Sequence, residues 1–488
     1  MTDPFDTVIH GGTVVTASET FAADIGIAHG RIAAIAERID GGERRIDAAG
    51  KLVMPGGIEA HCHIAQESSS GIMTADDYRS GSISAAFGGH SCFVPFAAQH
   101  RGQSIDHVIA TYDSRAETSS VIDYSYHLIV SDPSPEVLEV GLPKAFARGI
   151  TSFKVFMTYD LLNIGDAAML DIMTVAKQHG AITMVHAENN DMVKWMNRRL
   201  AAKGHVQPRY HAVSRPELAE QEAIHRAVSL AKLVDAPLFV VHCSTAEGAA
   251  LIQRERLRGV KLFSETCPQY LALTRSALDR PGMEGAKFMC SPPVRDEATQ
   301  AALWHHLATG TFASVSSDHA PYRFDASGKF ANGADAPYPK IGNGMPGLAT
   351  RLPYLFSEGV NKGRITLPQF VQLSAANAAR IFGLHRKGTI APGFDADIAI
   401  WNPQETRVAT LADQHDNMDY TPFEGMQITG WPETVFSRGN IVVHQGELHA
   451  KPGSGRFVAR KTVDLTGIPG YRAPELNPAL NFGAEIAP

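Results

Sequence analysis

The sequence predicts a (β/α)8 TIM-like barrel joined to a β-sandwich domain built from both chain ends. Short apolar runs alternate with helical patterns from residue 55 to about residue 384, which is the rhythm of βα units. Both ends instead carry short β-like runs punctuated by Gly turns. Several polar, chemistry-bearing side chains close an apolar run, which is where a barrel strand delivers its side chain to the C-terminal rim.

Taken in order, residues 1–54 form the first part of the sandwich, with β-like runs at 7–9, 13–15, 25–28, 32–35 and 51–54 before Pro55-Gly56-Gly57. Residues 55–385 form the barrel. Within it Glu217–Val234 reads as a helix, because Ala223, Ala227, Leu230, Ala231 and Val234 recur at three- and four-residue steps. An open doubly wound sheet has the same local rhythm, so periodicity alone leaves both architectures standing. Residues 386–466 return to β texture in Gly388-Thr389-Ile390-Ala391-Pro392-Gly393 and again around 435–443, completing the sandwich. Residues 467–488, with Pro469, Pro474, Pro478 and Pro488, read as an extended arm suited to gripping a neighbouring subunit.

At 488 residues the chain accommodates a barrel of about 250 residues and a companion module. With 44% hydrophobic and 19% charged residues and a mean hydropathy of -0.11, it has the composition of a soluble globular protein, without a membrane span. The start lacks a basic n-region and an apolar h-region, so the expected location is cytoplasmic. A net charge of -7 argues against a nucleic-acid partner, which requires a basic surface, and favours a small neutral substrate. The five cysteines are odd in number and show no C-x-x-C spacing; they read as reduced core residues.

Five fragments together read as the ligand set of a two-metal hydrolytic centre. His61 and His63 flank Cys62, so on a strand the two imidazoles point the same way and can share an ion. His186 ends Met184-Val185-His186, His242 ends Phe239-Val240-Val241-His242, and Asp318 ends the run from Phe312. Each alone has an ordinary explanation: a packed core histidine, or an aspartate capping a helix or forming a turn. Lys154, in Ser152-Phe153-Lys154-Val155-Phe156-Met157, is the odd member, since apolar neighbours bury it and an unpaired buried ammonium is costly. It is therefore expected to be neutral, paired or modified; a neutral amine can take up carbon dioxide to become a carbamate bridging two cations.

At this point the chain resembles the cyclic amidohydrolases of the metal-dependent amidohydrolase superfamily, in particular dihydropyrimidinases and D-hydantoinases. The resemblance runs through His61-Cys62-His63, Ala86-Phe87-Gly88-Gly89, Lys154 to Tyr159, Val185-His186-Ala187-Glu188-Asn189, Glu265-Thr266-Cys267-Pro268-Gln269-Tyr270, Ser291-Pro292-Pro293-Val294-Arg295 and Ser317-Asp318-His319-Ala320-Pro321. It implies two Zn2+ ions per subunit: His61, His63 and Asp318 on one, His186 and His242 on the other, and carbamylated Lys154 between them. It further implies that Asp318 moves the proton, that Tyr159 donates to the developing oxyanion, and that main-chain atoms of Ser291 and Asn343 hold the substrate's ureide or imide. A homotetramer, or a homodimer, is implied as well.

Departures from that pattern concern the substrate. The loop Ile64-Ala65-Gln66-Glu67-Ser68-Ser69-Ser70-Gly71-Ile72-Met73 is polar where many relatives carry bulky apolar residues, Glu59-Ala60 replaces the more usual aspartate-containing pair, and Phe87-Gly88-Gly89-His90 replaces a threonine-rich stretch. The expected reaction is opening of a dihydropyrimidine or 5-substituted hydantoin to an N-carbamoyl amino acid. Alternatives are another cyclic imide or ureide hydrolase, imidase or allantoinase-like, a non-catalytic hydantoinase-like scaffold, and a one-metal deaminase. Six intact ligand positions argue against the scaffold, and a bridging lysine argues against a single ion.

Overall fold

The computed structural model describes residues 4–68 and 71–486; Met1-Thr2-Asp3, Ser69-Ser70 and Ala487-Pro488, which include parts of the leader, serine-run and arm readings, lie outside the described residues. Both chain ends meet in one nine-stranded mixed sheet. Thr7–Val15, Thr20–Ala28, Arg31–Ala36, Arg44–Asp47 and Leu52–Pro55 come from the N-terminal end, and Ile398–Val408, Gln427–Ser437, Asn440–His444 and Glu447–Leu448 from the C-terminal end. Leu52–Pro55 is the seam: it runs parallel to Thr7–Val15 and antiparallel to Ile398–Val408, with Ile398 opposite Pro55 and Trp401 opposite Leu52. Ile9, Val14, Ile25, Ile27, Val53, Ile398, Ile400 and Phe436 fill its core from both ends, so neither end has a complete core without the other.

Between them the strands Gly57–Glu59, His90–Phe93 with Phe96–Ala98, Asp123–Tyr124 with His127–Ile129, Ser152–Phe156, Ile182–His186, Leu238–Val240, Leu262–Thr266 and Ser314–Val315 pair in parallel. The choice between barrel and open sheet is made where the last strand meets the first. Cys62 bridges His319 in parallel register, and the His63 N–H donates to the His319 carbonyl at 2.7 Å, so the sheet closes. Phe96, Ile129, Ile182, Met184, Phe239 and Phe263 pack inside, with Phe382 and Val463 among the same cluster from beyond the barrel strands.

Helix Glu217–Val234 forms with the bounds its periodicity predicts; Ala223, Ala227, Ala231 and Val234 are buried and Leu230 is half-buried. All five cysteines are buried and free. No described helix is long and apolar enough to cross a membrane.

Sheet strands end at Leu448, short of the residue 466 expected from β texture. Beyond them, residues 455–463 lace across the N-terminal face of the barrel: Val458 donates to Tyr124, Arg460 to Gly149, Lys461 to Gly383 and Val463 to Gly180, each through its N–H at 2.7–3.0 Å. An extended segment has the same apolar and polar texture whether its ladder partner is a strand or a loop, which is why the sequence carried it into the sheet. From residue 467 to 486 the chain holds one short 3-10 turn, Pro474–Leu476, and is otherwise irregular.

Candidate metal centre

Parallel strands place the candidate ligands at one rim. Lys154 lies within Ser152–Phe156, and His186 is the last residue of Ile182–His186. His61 and His63 follow Gly57–Glu59, His242 follows Leu238–Val240, and Asp318 follows Ser314–Val315. These side chains converge: Lys154 Nζ lies 2.9 Å from His61 Nε2, and Asp318 Oδ1 lies 3.0 Å from His61 Nε2 and 3.3 Å from His63 Nε2. His61, His242 and Asp318 each offer a ligand atom within 4.8 Å of the others. His186 joins through His242, their ring centroids 4.4 Å apart.

The fit to cations shows in which polar atoms lack partners. Both ring nitrogens of His242 are buried without a hydrogen-bond partner, a costly arrangement unless a further group satisfies them. His242 and Asp318 also have backbone φ of +38° and +48°, in the left-handed region that non-glycine residues rarely adopt, and Tyr159 and Ala65 have +68° and +48°. Strain of about 1–3 kcal/mol per residue is characteristic of sites where side-chain aim is held against local preference.

Lys154 is fully buried between the Phe96 and Phe156 rings, 4.5 and 5.0 Å from their centroids, and its hydrogen-bond partner is His61 rather than a carboxylate. Burial lowers its pKa to about 8, partly offset by the Asp318 and Glu265 carboxylates. A fraction of neutral amine is thereby present near pH 7, as carbamate formation requires.

Behind the ligands stands a set of residues that the sequence reading assigned no role. Glu265 accepts from His61 Nδ1 and from the His242 N–H at 3.3 Å, fixing which His61 nitrogen faces the site. His186 Nε2 pairs with Glu188 at 2.7 Å, leaving Nδ1 for an ion, and Gln66 Oε1 lies 2.7 Å from His63 Nδ1. Glu59 accepts from the His61 N–H at 2.8 Å and the Ser317 N–H at 3.1 Å, so one buried carboxylate braces the first and last barrel strands; Arg351 pairs with it at 2.9 Å. The H-x-H-x-x-Q spacing could have pointed to Gln66. Glu59 could have been found as a charge in a strand-like run, but its partner is 292 residues away.

Tyr159, Ser291 and Asn343 form a second group. Asn343 Nδ2 donates to Ser291 Oγ at 2.6 Å and to Tyr159 Oη at 3.2 Å. The Tyr159 ring lies 5.5 Å from His186 and 5.0 Å from the Arg215 guanidinium, which in turn donates to Glu188 at 2.5 Å. Burial raises the Tyr159 pKa against the opposing pull of Arg215, so the phenol keeps its proton at neutral pH and can donate it in a hydrogen bond.

In the polar loop after His63, Glu67 is bridged to Met73, and Glu67 Oε2 lies 3.8 Å from His100 Nε2. Nearby cations are engaged: Arg115 donates to the Ala65 carbonyl at 2.6 Å and Arg101 to that of Leu161 at 3.2 Å.

Known proteins are similar to this one over nearly the whole chain. The sequence pattern of the amidohydrolase family matches residues 52–442. A D-hydantoinase of Geobacillus stearothermophilus is 42% identical over 457 residues, 93% of this chain and 96% of that protein. The crystal structure of dihydropyrimidinase from Brevibacillus agri NCHU1002 superposes with a TM-score of 0.91 at 42% identity, covering 94% of this chain and 99% of that one. An L-hydantoinase (dihydropyrimidinase) from Arthrobacter aurescens superposes at 0.85 with 28% identity, covering 93% and 100%. With its barrel and both flanks matched in this way, the chain belongs to the amidohydrolase family.

Proposed function

We propose that this protein opens the ring of a neutral cyclic ureide, a dihydropyrimidine or 5-substituted hydantoin, to the corresponding N-carbamoyl amino acid. That it is a hydrolase acting on cyclic amides follows from the family and from relatives of about 40% identity. The observation that carries the finer reading is the set of His61, His186, His242 and Asp318, all buried, with the partly exposed His63, around a lysine that has no carboxylate partner among the described residues.

In this reading His61, His63 and Asp318 would hold one zinc and His186 and His242 the other, with Lys154, once carbamylated, as a ligand available to both. When bound, two such ions supply a nucleophilic water near neutral pH and polarise the scissile carbonyl. Asp318 takes a proton from the attacking water and returns it to the departing ring nitrogen. Tyr159 Oη donates to the carbonyl oxygen as negative charge develops there. Main-chain groups of Ser291 and Asn343 read the ring's alternating N–H and C=O edge without adding charge.

A neutral substrate follows from the engaged cations. Dihydroorotase-like enzymes need a free arginine near the second metal histidine to hold a carboxylate; here that position is Ala65, Arg115 is committed to its carbonyl and Arg215 to Glu188. An unpaired carboxylate in the pocket would be expensive. We further propose a cytoplasmic homotetramer.

Two measurements test this. Elemental analysis of protein purified without chelators is expected to find about two zinc ions per subunit; one ion or fewer in fully active protein removes the binuclear mechanism, and an inert, metal-free chain leaves a scaffold. On the same preparation, kcat/KM for dihydrouracil, hydantoin, phenylhydantoin, succinimide, allantoin and dihydroorotate should be highest among the first three. Allantoin or dihydroorotate winning sinks the assignment, while succinimide winning keeps the chemistry and changes the substrate to a cyclic imide.

A further inference from the structure

Opposite the metal ligands, the substrate-reading loop Gly342-Asn343-Gly344 rests on a buried lysine that the reaction itself does not use. Lys329 is fully buried and has no carboxylate partner among the described residues; its Nζ donates to the Gly342 carbonyl at 3.0 Å and to the Gly344 carbonyl at 2.8 Å. These two carbonyls flank Asn343. The backbone ties run the same way: the Gly342 N–H donates to the Lys329 carbonyl at 3.0 Å and the Gly344 N–H to Met289 at 3.0 Å.

The fit leaves little slack. A Cβ on Gly342 would lie 3.1 Å from the Gly328 carbonyl and from Lys329 Cα, and one on Gly344, at φ +152°, would lie 2.6 Å from Ala320. The Ala320 N–H in turn donates to the Met345 carbonyl at 2.9 Å, joining the loop to the segment that carries Asp318. Burying an ammonium against two neutral carbonyls costs stability that an apolar side chain of the same size would not. Burial lowers its pKa to about 7 against a smaller upward pull from Cys290, and charged or neutral the amine still donates. A purely structural position would be better filled by methionine.

We propose that Lys329 is a positioning residue for substrate recognition: by holding the carbonyls on either side of Asn343, it fixes the Asn343 main chain at the angle needed to read the ring's ureide or imide edge. The inference rests on the reading of Asn343 as a substrate contact. It assigns Lys329 to binding rather than to chemistry, because Lys329 Nζ donates to the two carbonyls flanking Asn343 and to neither Asp318 nor Tyr159; Asp318 is met by His61 and His63, and Tyr159 by the Arg215 stack as well as by the Asn343 side chain. Loss of an interaction made equally in ground and transition states raises KM and spares kcat.

The test uses the zinc-loaded enzyme, with Lys329→Met as the main variant and Lys329→Gln, shorter but still a donor, as the second. Two readouts are taken: hydrogen exchange of the peptide containing residues 342–346, and the KM and kcat for dihydrouracil. Lys329→Met is expected to speed exchange at the Gly342 and Gly344 amides, raise KM about tenfold and change kcat less than about threefold, with zinc content unchanged. Lys329→Gln should move both readouts in the same direction by less, and it carries the test if the methionine variant does not fold. Unchanged exchange overturns the proposal while leaving Asn343 as a substrate contact. Faster exchange with an unchanged KM overturns that contact, and the proposal with it. A fall in kcat larger than the rise in KM reassigns Lys329 to the chemistry and overturns its role in binding.

Discussion

Both ends of the barrel bury charge, and they treat it in opposite ways. At the N-terminal face Lys387 Nζ lies 2.8 Å from Asp123, 3.4 Å from Asp395 and 2.5 Å from Asp397, while Arg438 Nε meets Asp123 at 2.9 Å and the Arg438 N–H meets Asp397 at 2.8 Å. Asp123 opens a barrel strand and Asp395 and Asp397 lead into the sheet, so the cluster locks the two modules together. None of its members is among the buried polar atoms left unpartnered. At the C-terminal rim His242 has both ring nitrogens unpartnered, and one oxygen each of Glu265, Glu188 and Asn343 is also without a partner. Four rim residues are held at positive φ. Positive φ occurs at both ends, Arg438 of the lock having +47°, so it is the pairing that separates them: satisfied charge is the mark of a lock, and buried polar atoms without partners the mark of a site that awaits another group.

The largest expected effect breaks the rim alone. Lys154→Ala should lower turnover by about 10³-fold or more with the fold retained, since the proposed bridge between two cations is lost. Adding a short carboxylic acid should restore part of the activity by standing in for the carbamate. Near-normal turnover in Lys154→Ala would end the bridging role. At the other face, Lys387→Met removes the cation that three buried carboxylates share, leaving them Arg438 and Arg386, and should destabilise by about 3–5 kcal/mol, read as a lower denaturant midpoint, with kcat/KM of the folded enzyme unaltered. If activity falls with the midpoint, the two ends are not separable. Returning to the rim, Tyr159→Phe should cost about 10²-fold in turnover at unchanged zinc content, the usual loss for an oxyanion donor. An unaffected rate would make Tyr159 a core aromatic.

How much of this contrast was legible follows from what a local pattern can carry. His61, His63, Lys154, His186, His242 and Asp318 were visible because each ends or interrupts an apolar run, a signal confined to a few residues, and the structure brings all six to one rim. The helix Glu217–Val234 was visible for the same reason. Closure of the sheet was not, because it depends on Cys62 meeting His319 across more than 250 residues. Glu59, Glu188, Glu265, Arg215, Arg351, Lys387 and Lys329 were given no role, since a charged residue in an apolar stretch announces a cost but not its partner. The lock between the modules was therefore invisible, as was the excursion of residues 455–463 onto the barrel face, where the β-like texture is real and its partners are the barrel strand end at Tyr124 and the loops at Gly149, Gly180 and Gly383.

The finest test separates the two ends by pH. Burial would raise the Glu188 pKa, but Arg215 and the hydrogen bond from His186 outweigh it and hold the carboxyl at about 2, below its ordinary 4.5. A depressed carboxylate stabilises the fold above its unfolded pKa and loses that contribution as pH falls toward the folded one, so the window is pH 4.5 down to 2. Lys387 has the opposite sign: burial works against its charge, the Asp397 and Asp123 carboxylates prevail, and its pKa stands well above 10.5. Its contribution is complete below 10.5 and is lost only as pH rises through the folded value. The stability difference between wild type and Glu188→Gln should therefore shrink by about 1 kcal/mol between pH 5 and pH 3.5. The difference between wild type and Lys387→Met should contract in alkali, as Lys387 deprotonates, while that between wild type and Glu188→Gln stays flat there. Denaturant midpoints of the two variants, measured in parallel across both ranges, check this; an alkaline response of equal size in both would mean that the rim and the lock titrate as one unit.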